Sequence, residues 1–410
     1  MQWELLGFKD DPFKTHPITA YTVALYTGNG EKIKQAKFAL NTSNIVIVVE
    51  GERGVGTTSF GNFLRFSVQK EKKYFTPASE IKVEPYWNAD TLMAAVIGNV
   101  VTSLELEHHD EIKNNKSFIE AKAIVGRITE TFKSFGLSGF GIGANYGASG
   151  VTTQPMIMPT QMLAHYLEGL VKVVRQLGFK YGLLIQLNNL DVGTVQDERH
   201  LTVLLNVLRD YFQMPGTSWM LVGDTELRRF IAQKIDRVDD IISCEIDITP
   251  LAKEDYLKLI QKRIQHFRAK PQVELPMDNE VWMYLFQVTK GRLRYIFGLL
   301  NRLYGALQLG VLTDHISLDM AKPAIKTFGE ERLKRHRLSL TDILVLKAVV
   351  AHETIQVKDL ANAIGKSQTQ VSKILNHLHN LNLVTYKQEW RSRRYAASID
   401  AQLAYSDIKI

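Results

Sequence analysis

Between a β-branched run, Asn44-Ile45-Val46-Ile47-Val48-Val49, and a helical pattern over 58–68, the chain reads Gly51-Glu52-Arg53-Gly54-Val55-Gly56-Thr57-Thr58. Glycines at this spacing let a loop turn successive backbone N–H groups inward. The helix that follows offers its N-terminus to an anion. The phosphate-loop pattern G-x-x-x-x-G-K-[ST] is met at every fixed position except one, because Thr57 stands where the lysine belongs. Gly51, Gly54, Val55, Gly56, Thr57 and Thr58 are the expected phosphate-holding residues. Thr58 keeps a hydroxyl that can reach Mg2+, but the ammonium that would bridge the β- and γ-phosphates is gone.

A second stretch able to do chemistry is Leu183-Leu184-Ile185-Gln186-Leu187-Asn188-Asn189-Leu190-Asp191. It has the form of the apolar strand that ends in two acids beside a phosphate loop. Here two amides, Asn188 and Asn189, take the acidic places. An asparagine can hold a metal-bound water through its carbonyl, but it brings no negative charge and is a poor base. Alternatively Asp191 takes the metal role in a shifted register, with two amides intervening. Each lost charge weakens transition-state electrostatics on a scale of roughly 3 kcal/mol per oriented donor. Binding of ATP or ADP, with or without Mg2+, is therefore expected to survive more easily than rapid hydrolysis.

The surrounding elements are those needed to position such a site. Strand-like runs at 44–49, 181–187 and 218–222 are separated by helical patterns at 58–68, 89–106, 117–135 and 201–212, which argues for a parallel α/β sheet. From Pro250 to about Phe328 the pattern is purely helical. A basic connector, Arg332-Leu333-Lys334-Arg335-His336-Arg337, follows. These shifts set expected domains at 1–249, 250–330 and 331–410. Residues 138–150 alternate glycine with larger residues outside any strand-to-helix context. They predict a glycine-softened hairpin, either a plain surface feature or a contact for DNA or a partner.

Leu340 to Ser398 reads as a winged helix-turn-helix. A first helix over 341–352 precedes a short one over 357–364 that ends at Gly365, and Ser367 with Gln370 forms a capping box for a third. The third helix offers Gln368, Thr369, Lys373 and His377 opposite Val371, Ile374, Leu375 and Leu378. Two strands would form the wing, around Lys387, Trp390, Arg391, Arg393 and Arg394. Early residues of such a helix read the major groove, and wing cations neutralise phosphates. The DNA-contacting set is therefore Gln368, Thr369, Lys373, Lys387, Arg391, Arg393 and Arg394. A winged helix can also serve as a protein contact.

Charge supports the DNA reading. The chain carries +7, and residues 331–410 hold thirteen Lys/Arg against seven Asp/Glu, so nearly all the excess lies in the last fifth. A hydrophobic fraction of 45% and a charged fraction of 23% exclude a mainly disordered chain. Cys244 is the single cysteine, so no intrachain disulfide can form. Met1-Gln2-Trp3-Glu4 lacks a basic n-region and an apolar stretch, and a cytoplasmic setting without a membrane partner is expected. His108-His109-Asp110 reads as a polar helix end rather than a metal site.

The order of these motifs resembles the AAA+ ATPases of the initiator/STAND type: origin-recognition initiators, transposition ATPases and signalling ATPases that end in a winged helix. Phe8-Lys9-Asp10-Asp11-Pro12-Phe13 is similar to the segment that packs near the adenine there. Residues 25–33 are similar to the LFVGREEEI box, with Asn29 where arginine is usual. Leu221-Val222-Gly223-Asp224 sits where sensor 1 falls, and Ile235-Asp236-Arg237-Val238 where an arginine finger, Arg237, would face a neighbouring subunit. Thr249-Pro250-Leu251 is similar to the entry to the helical lid. Gly291-Arg292-Leu293-Arg294 resembles sensor 2, with Arg294 as its arginine. The resemblance implies an α/β fold: a P-loop AAA+ core with a parallel sheet, an all-helical lid and a C-terminal winged helix. It implies adenine nucleotide as a switch, duplex DNA as a partner, and self-association or other protein subunits. The departures at Thr57, Asn188, Asn189 and Asn29 imply weak or no hydrolysis. A catalytically inactive scaffold and a nucleotide-responsive regulator are the competing readings.

Overall fold

The computed structural model describes residues 3–134, 160–193, 195–389 and 392–405. The segment 138–150, Trp390 and Arg391 lie outside the described residues. The chain divides into two compact units: Pro17–Thr249, and Met1–His16 together with Pro250–Ile410.

The first unit runs α1 (Gly30–Ala39), β1 (Val46–Gly51), α2 (Thr57–Lys70), β2 (Ile81–Lys82), α3 (Ala89–Ile112), α4 (Lys116–Ser134), α5 (Thr160–Gln176), β3 (Leu183–Asn188), α6 (Val195–Phe212), β4 (Thr217–Val222), α7 (Leu227–Lys234), α8 (Asp236–Asp239) and β5 (Ile242–Ile248). Its five strands are parallel, in the order β2-β3-β4-β1-β5. The interior strands read as nearly unbroken apolar runs because both faces are covered. Val46 and Val48 of β1 pack with α3–α6 and α7, whereas Ile47 and Val49 pack with α1 and α2. The edge strand β5 alternates instead, burying Cys244, Ile246 and Ile248 and exposing Ser243, Glu245 and Asp247. That period of two is legible in Ile242–Ile248, yet this strand and the two-residue β2 are absent from the three-strand sequence reading. Among the described residues α3 is the one helix long and apolar enough to cross a membrane, and 78% of its apolar window is buried in the fold.

The second unit holds α9 (Lys253–Phe267), α10 (Asn279–Val288), α11 (Leu293–Leu307) and α12 (Leu318–Lys334), and no strand falls among them. Residues up to His16 pack here rather than on the sheet. The Trp3 ring meets Tyr304 at 5.1 Å, Phe13 meets both Trp282 and Phe297 at 5.7 Å, and Arg263 donates to the Pro12 carbonyl at 2.7 Å. Three large aromatics in thirteen residues need an apolar cluster, and the helices supply it.

The unit continues with α13 (Leu340–Val350), β6 (Ile355–Gln356), α14 (Val357–Ile364), α15 (Gln368–Asn380), β7 (Val384–Glu389), β8 (Ser392–Ala397) and α16 (Ile399–Tyr405). The three strands form an antiparallel sheet in the order β6-β8-β7. Gly365 ends α14 at φ 66°, and Ser367 and Gln370 make the reciprocal cap that starts α15. Val371, Leu375 and Leu378 bury one face of α15 against Leu346, Val349, Leu360 and Tyr395.

No break occurs at residue 331, since α12 runs through it. The final helix, α16, then returns to α12. Its Ile399 and Leu403 join the cluster of α9–α12, while its Ala401 and Ala404 join that of α13–α15. The approach is close: a Cβ added at Gly329 would lie 2.4 Å from the Ala404 nitrogen. An Arg332–Asp400 ion pair at 2.5 Å braces the same junction.

Candidate functional site

The glycine loop leaves the sheet at the C-terminal end of β1. Gly51 must be glycine, because a Cβ there would lie 2.4 Å from the Ile248 carbonyl oxygen and 3.0 Å from Thr57 Cγ2. Gly54 and Gly56 adopt φ of 93° and 108°, in the left-handed region where a side chain is strained. Val55 anchors the loop by burying its side chain with Phe60 and Leu64. Gly56 caps α2 through its carbonyl, which accepts from the Phe60 nitrogen at 2.9 Å. A Cβ at Gly56 would meet nothing within 4 Å. No side chain caps the first-turn N–H groups, which lie at the positive end of the helix dipole. In backbone terms the residues present fit a phosphate.

Their electrostatic surroundings differ from those of a lysine-bearing loop. Thr57 and Thr58 are half-buried, and Arg53 is an exposed cation within the loop. Glu50, one residue before Gly51, accepts a hydrogen bond from the Arg228 nitrogen at 2.9 Å. Desolvation raises the Glu50 carboxyl above its usual range, and Asp247, Glu226 and Asp224 push it the same way. Asp224, where the resemblance expects sensor 1, accepts from the Val192 nitrogen at 3.0 Å and the Glu226 nitrogen at 3.1 Å. It braces the loop after β3. Gly223 beside it allows that loop to pass, since a Cβ there would lie 2.3 Å from the Leu190 oxygen.

Asn188 closes β3 and is 2% exposed; Gln186, on the same strand face, is also 2% exposed. Gln186 Nε2 donates to Asn188 Oδ1 at 3.0 Å. Asn189 turns away at φ 64° and is exposed, as is Asp191. The paired amides at Asn188 and Asn189 are thus divided between interior and surface. Gln186, which the motifs do not mark, is the buried neighbour that holds Asn188. Its signal is a lone amide inside an otherwise apolar strand.

Asn29, where the resemblance expects arginine, starts α1 at φ 56° and donates through Nδ2 to the Tyr26 hydroxyl at 3.1 Å. Tyr26 stacks on Phe63 of α2 at 4.7 Å. Arg237 is exposed on the single turn of α8. In the second unit, Arg294 is exposed in the first turn of α11, just after Gly291 turns at φ 69° against Leu251.

On the C-terminal module Gln368, Thr369 and Lys373 are exposed on α15, on the side away from its buried face. Lys387 of β7 lies directly opposite Arg394 of β8. Arg393 belongs to the other face of this hairpin, with its guanidinium 4.3 Å from the Tyr386 ring centre. The wing cations therefore divide between two faces, and Arg391 lies outside the described residues.

No protein-family model and no curated protein matches the sequence. Solved structures do match. The ORC2 protein of Aeropyrum pernix, determined as ADPNP–ADP complexes, aligns at 16% identity over 97% of this chain and 96% of that one, with a TM-score of 0.51. A Walker-type ATPase of Pyrococcus abyssi aligns at 13% identity over 96% and 99%, also at 0.51. The chain shares the fold of these two solved structures. In this fold the glycine loop, the β3 amides and Asp224 all lie at the C-terminal edge of one parallel sheet, where α/β proteins gather their sites.

Proposed function

We propose that this chain binds an adenine nucleotide on the loop 51–58 and duplex DNA through its C-terminal module, with nucleotide acting as a conformational or assembly switch and hydrolysis weak or nil. The carrying observation is the loop itself: a phosphate-shaped backbone with an uncapped helix start, and a threonine where the ammonium belongs. The N–H groups of Gly54 to Thr58 would hold the phosphates, with the Thr58 hydroxyl beside them. A bound nucleotide would set its phosphates at the uncapped N-terminus of α2. Two of the usual charges for turnover are absent, because Thr57 replaces a cation and Asn188 an anion. Likeness of fold to an ORC2 protein whose structure holds ADPNP and ADP supports the nucleotide assignment.

The basic balance of 331–410 and the exposed Gln368, Thr369, Lys373 and Lys387 support the DNA assignment. An origin-recognition type of switch is favoured over a signalling one, and Arg237 is the residue proposed to meet a neighbouring subunit. Filter binding of labelled ATP, with and without duplex DNA, tests the pairing of ligands. Retention of both supports it, and failure to retain either removes it. Steady-state turnover tests the rest. A rate near the ordinary enzyme value of about 10 per second, abolished in Thr58→Ala, would contradict the switch reading.

A further inference from the structure

We propose that the loop holds phosphate oxygens without a divalent cation, and that Asn188 serves it as a hydrogen-bond donor to the anion. This rests on the nucleotide reading above and concerns what completes the site.

Position comes first. Leu184, Gln186 and Asn188 share one face of β3. Leu184 packs with Phe60 and Leu64 of α2, and Gln186 lies against Gly61. Asn188 is two residues further towards the loop, about 6.6 Å along the strand. One turn of α2 back from Gly61, about 5.4 Å, are Thr57 and Thr58. Asn188 therefore stands level with the first turn of α2, on the side facing it.

Orientation comes next. Gln186 is fixed: a Cβ added at Gly61 would lie 2.8–2.9 Å from all three of its amide atoms. Its Nε2 donates to Asn188 Oδ1 at 3.0 Å, and its own Oε1 is buried without a partner. Reversing both amides would exchange one unmet carbonyl for an unmet NH2 with two donors, which is the costlier state. The Asn188 carbonyl is thus engaged inward. The group left for the loop is Nδ2, which has no partner among the described residues.

The donor set then decides between cation and anion. Mg2+ takes hard oxygen ligands, commonly one or two carboxylates together with phosphate oxygens and water. Here Glu50 is bonded to the Arg228 nitrogen, and Asp224 to the Val192 and Glu226 nitrogens. From the loop Thr57 and Thr58 offer hydroxyls, while its one carboxylate, Glu52, and Asp191 beyond β3 already have partners of their own. An NH2 group at Asn188, the α2 amides and the exposed Arg53 all favour negative charge. The residues present do not fit a magnesium site, and they do fit a bare phosphate.

The test uses the full chain titrated with a fluorescent ADP analogue, once in excess EDTA and once in millimolar Mg2+. The affinities should agree within about threefold. Asn188→Asp should weaken binding at least tenfold in EDTA and make it depend on Mg2+. Gln186→Leu, which frees the Asn188 amide to turn, should introduce Mg2+ dependence without adding charge, and it serves if the aspartate variant fails to fold. Wild-type binding only with Mg2+ overturns this inference alone. Folded variants that bind as wild type does in both buffers also overturn it. Absence of wild-type binding in both buffers overturns the nucleotide reading as well.

Discussion

At the residue scale, Glu50 and Gly51 make opposite demands at the mouth of the loop. Glu50 is held near Asp224, Glu226 and Asp247, and its raised carboxyl means that the folded chain takes up this proton more readily than the unfolded one. The stability it contributes is therefore present in full below the ordinary carboxylate value of 4.5 and is lost as pH rises through the higher folded value. Glu50→Gln keeps an acceptor for the Arg228 nitrogen and removes the charge. It should raise Tm at pH 7, by an amount that shrinks as pH approaches 4.5. An equal gain at both pH values would remove the electrostatic cause. Gly51→Ala sets a methyl against a backbone oxygen that cannot swing aside, so denaturant titration should show a loss of about 1–3 kcal/mol. Gly56→Ala meets no atom but is strained by its φ of 108°, and a loss of about 1–2 kcal/mol is expected, with weakened nucleotide binding. The glycine spacing made this loop legible in the sequence. The Gln186–Asn188 hydrogen bond was not, because which end of an amide faces a loop is settled by packing across the sheet and α2.

At the element scale, the join between the lid helices and the C-terminal module is the least expected feature. Sequence patterning places a basic connector at 332–337, and three of its residues, Lys334, Arg335 and Arg337, are indeed exposed. Leu333, however, is buried in the cluster of α13–α15, and α12 carries it there without interruption. The helix α16 evaded the sequence reading because it is only seven residues long and its apolar residues divide between two clusters, leaving no single stripe. A comparable weakness of pattern explains β5, an edge strand whose alternation is fainter than the unbroken runs of β1 and β4. By contrast, α14, Gly365 and the Ser367 cap of α15 were legible to the residue, since turn and cap chemistry is local. Removing everything after residue 337 should therefore do more than delete a DNA-binding surface. It strips Ile399 and Leu403 from the lid cluster, and thermal unfolding of the shortened chain should begin at lower temperature than in the full chain. Leu403→Asp, which places a charge in the same cluster, should cost about 2–4 kcal/mol. A shortened chain whose lid melts as in the full chain would mean that α16 contributes no packing energy.

At the scale of the whole molecule, the +7 charge acts through geometry. The second unit carries both the helices α9–α12 and the basic module, joined through α12 and α16. Which cations meet DNA follows from the hairpin faces. Lys387 and Arg394 stand opposite each other across β7 and β8, an arrangement of like charges that is destabilising on its own. Arg393 is on the other face, against Tyr386. If binding to phosphate is what keeps the like pair, Lys387→Ala should leave Tm unchanged or slightly raised while lowering affinity for every duplex sequence. The plot of log affinity against log salt should flatten by about one unit for each phosphate that is no longer neutralised. Arg393→Ala should flatten it less, because its guanidinium is already stacked. Substitutions at Gln368 or Thr369 should leave the slope alone and change sequence preference, by about 1–3 kcal/mol at the bases read. A Lys387→Ala chain with the wild-type salt slope would take this face of the hairpin off the DNA, and the module would then be better explained as a surface for another protein.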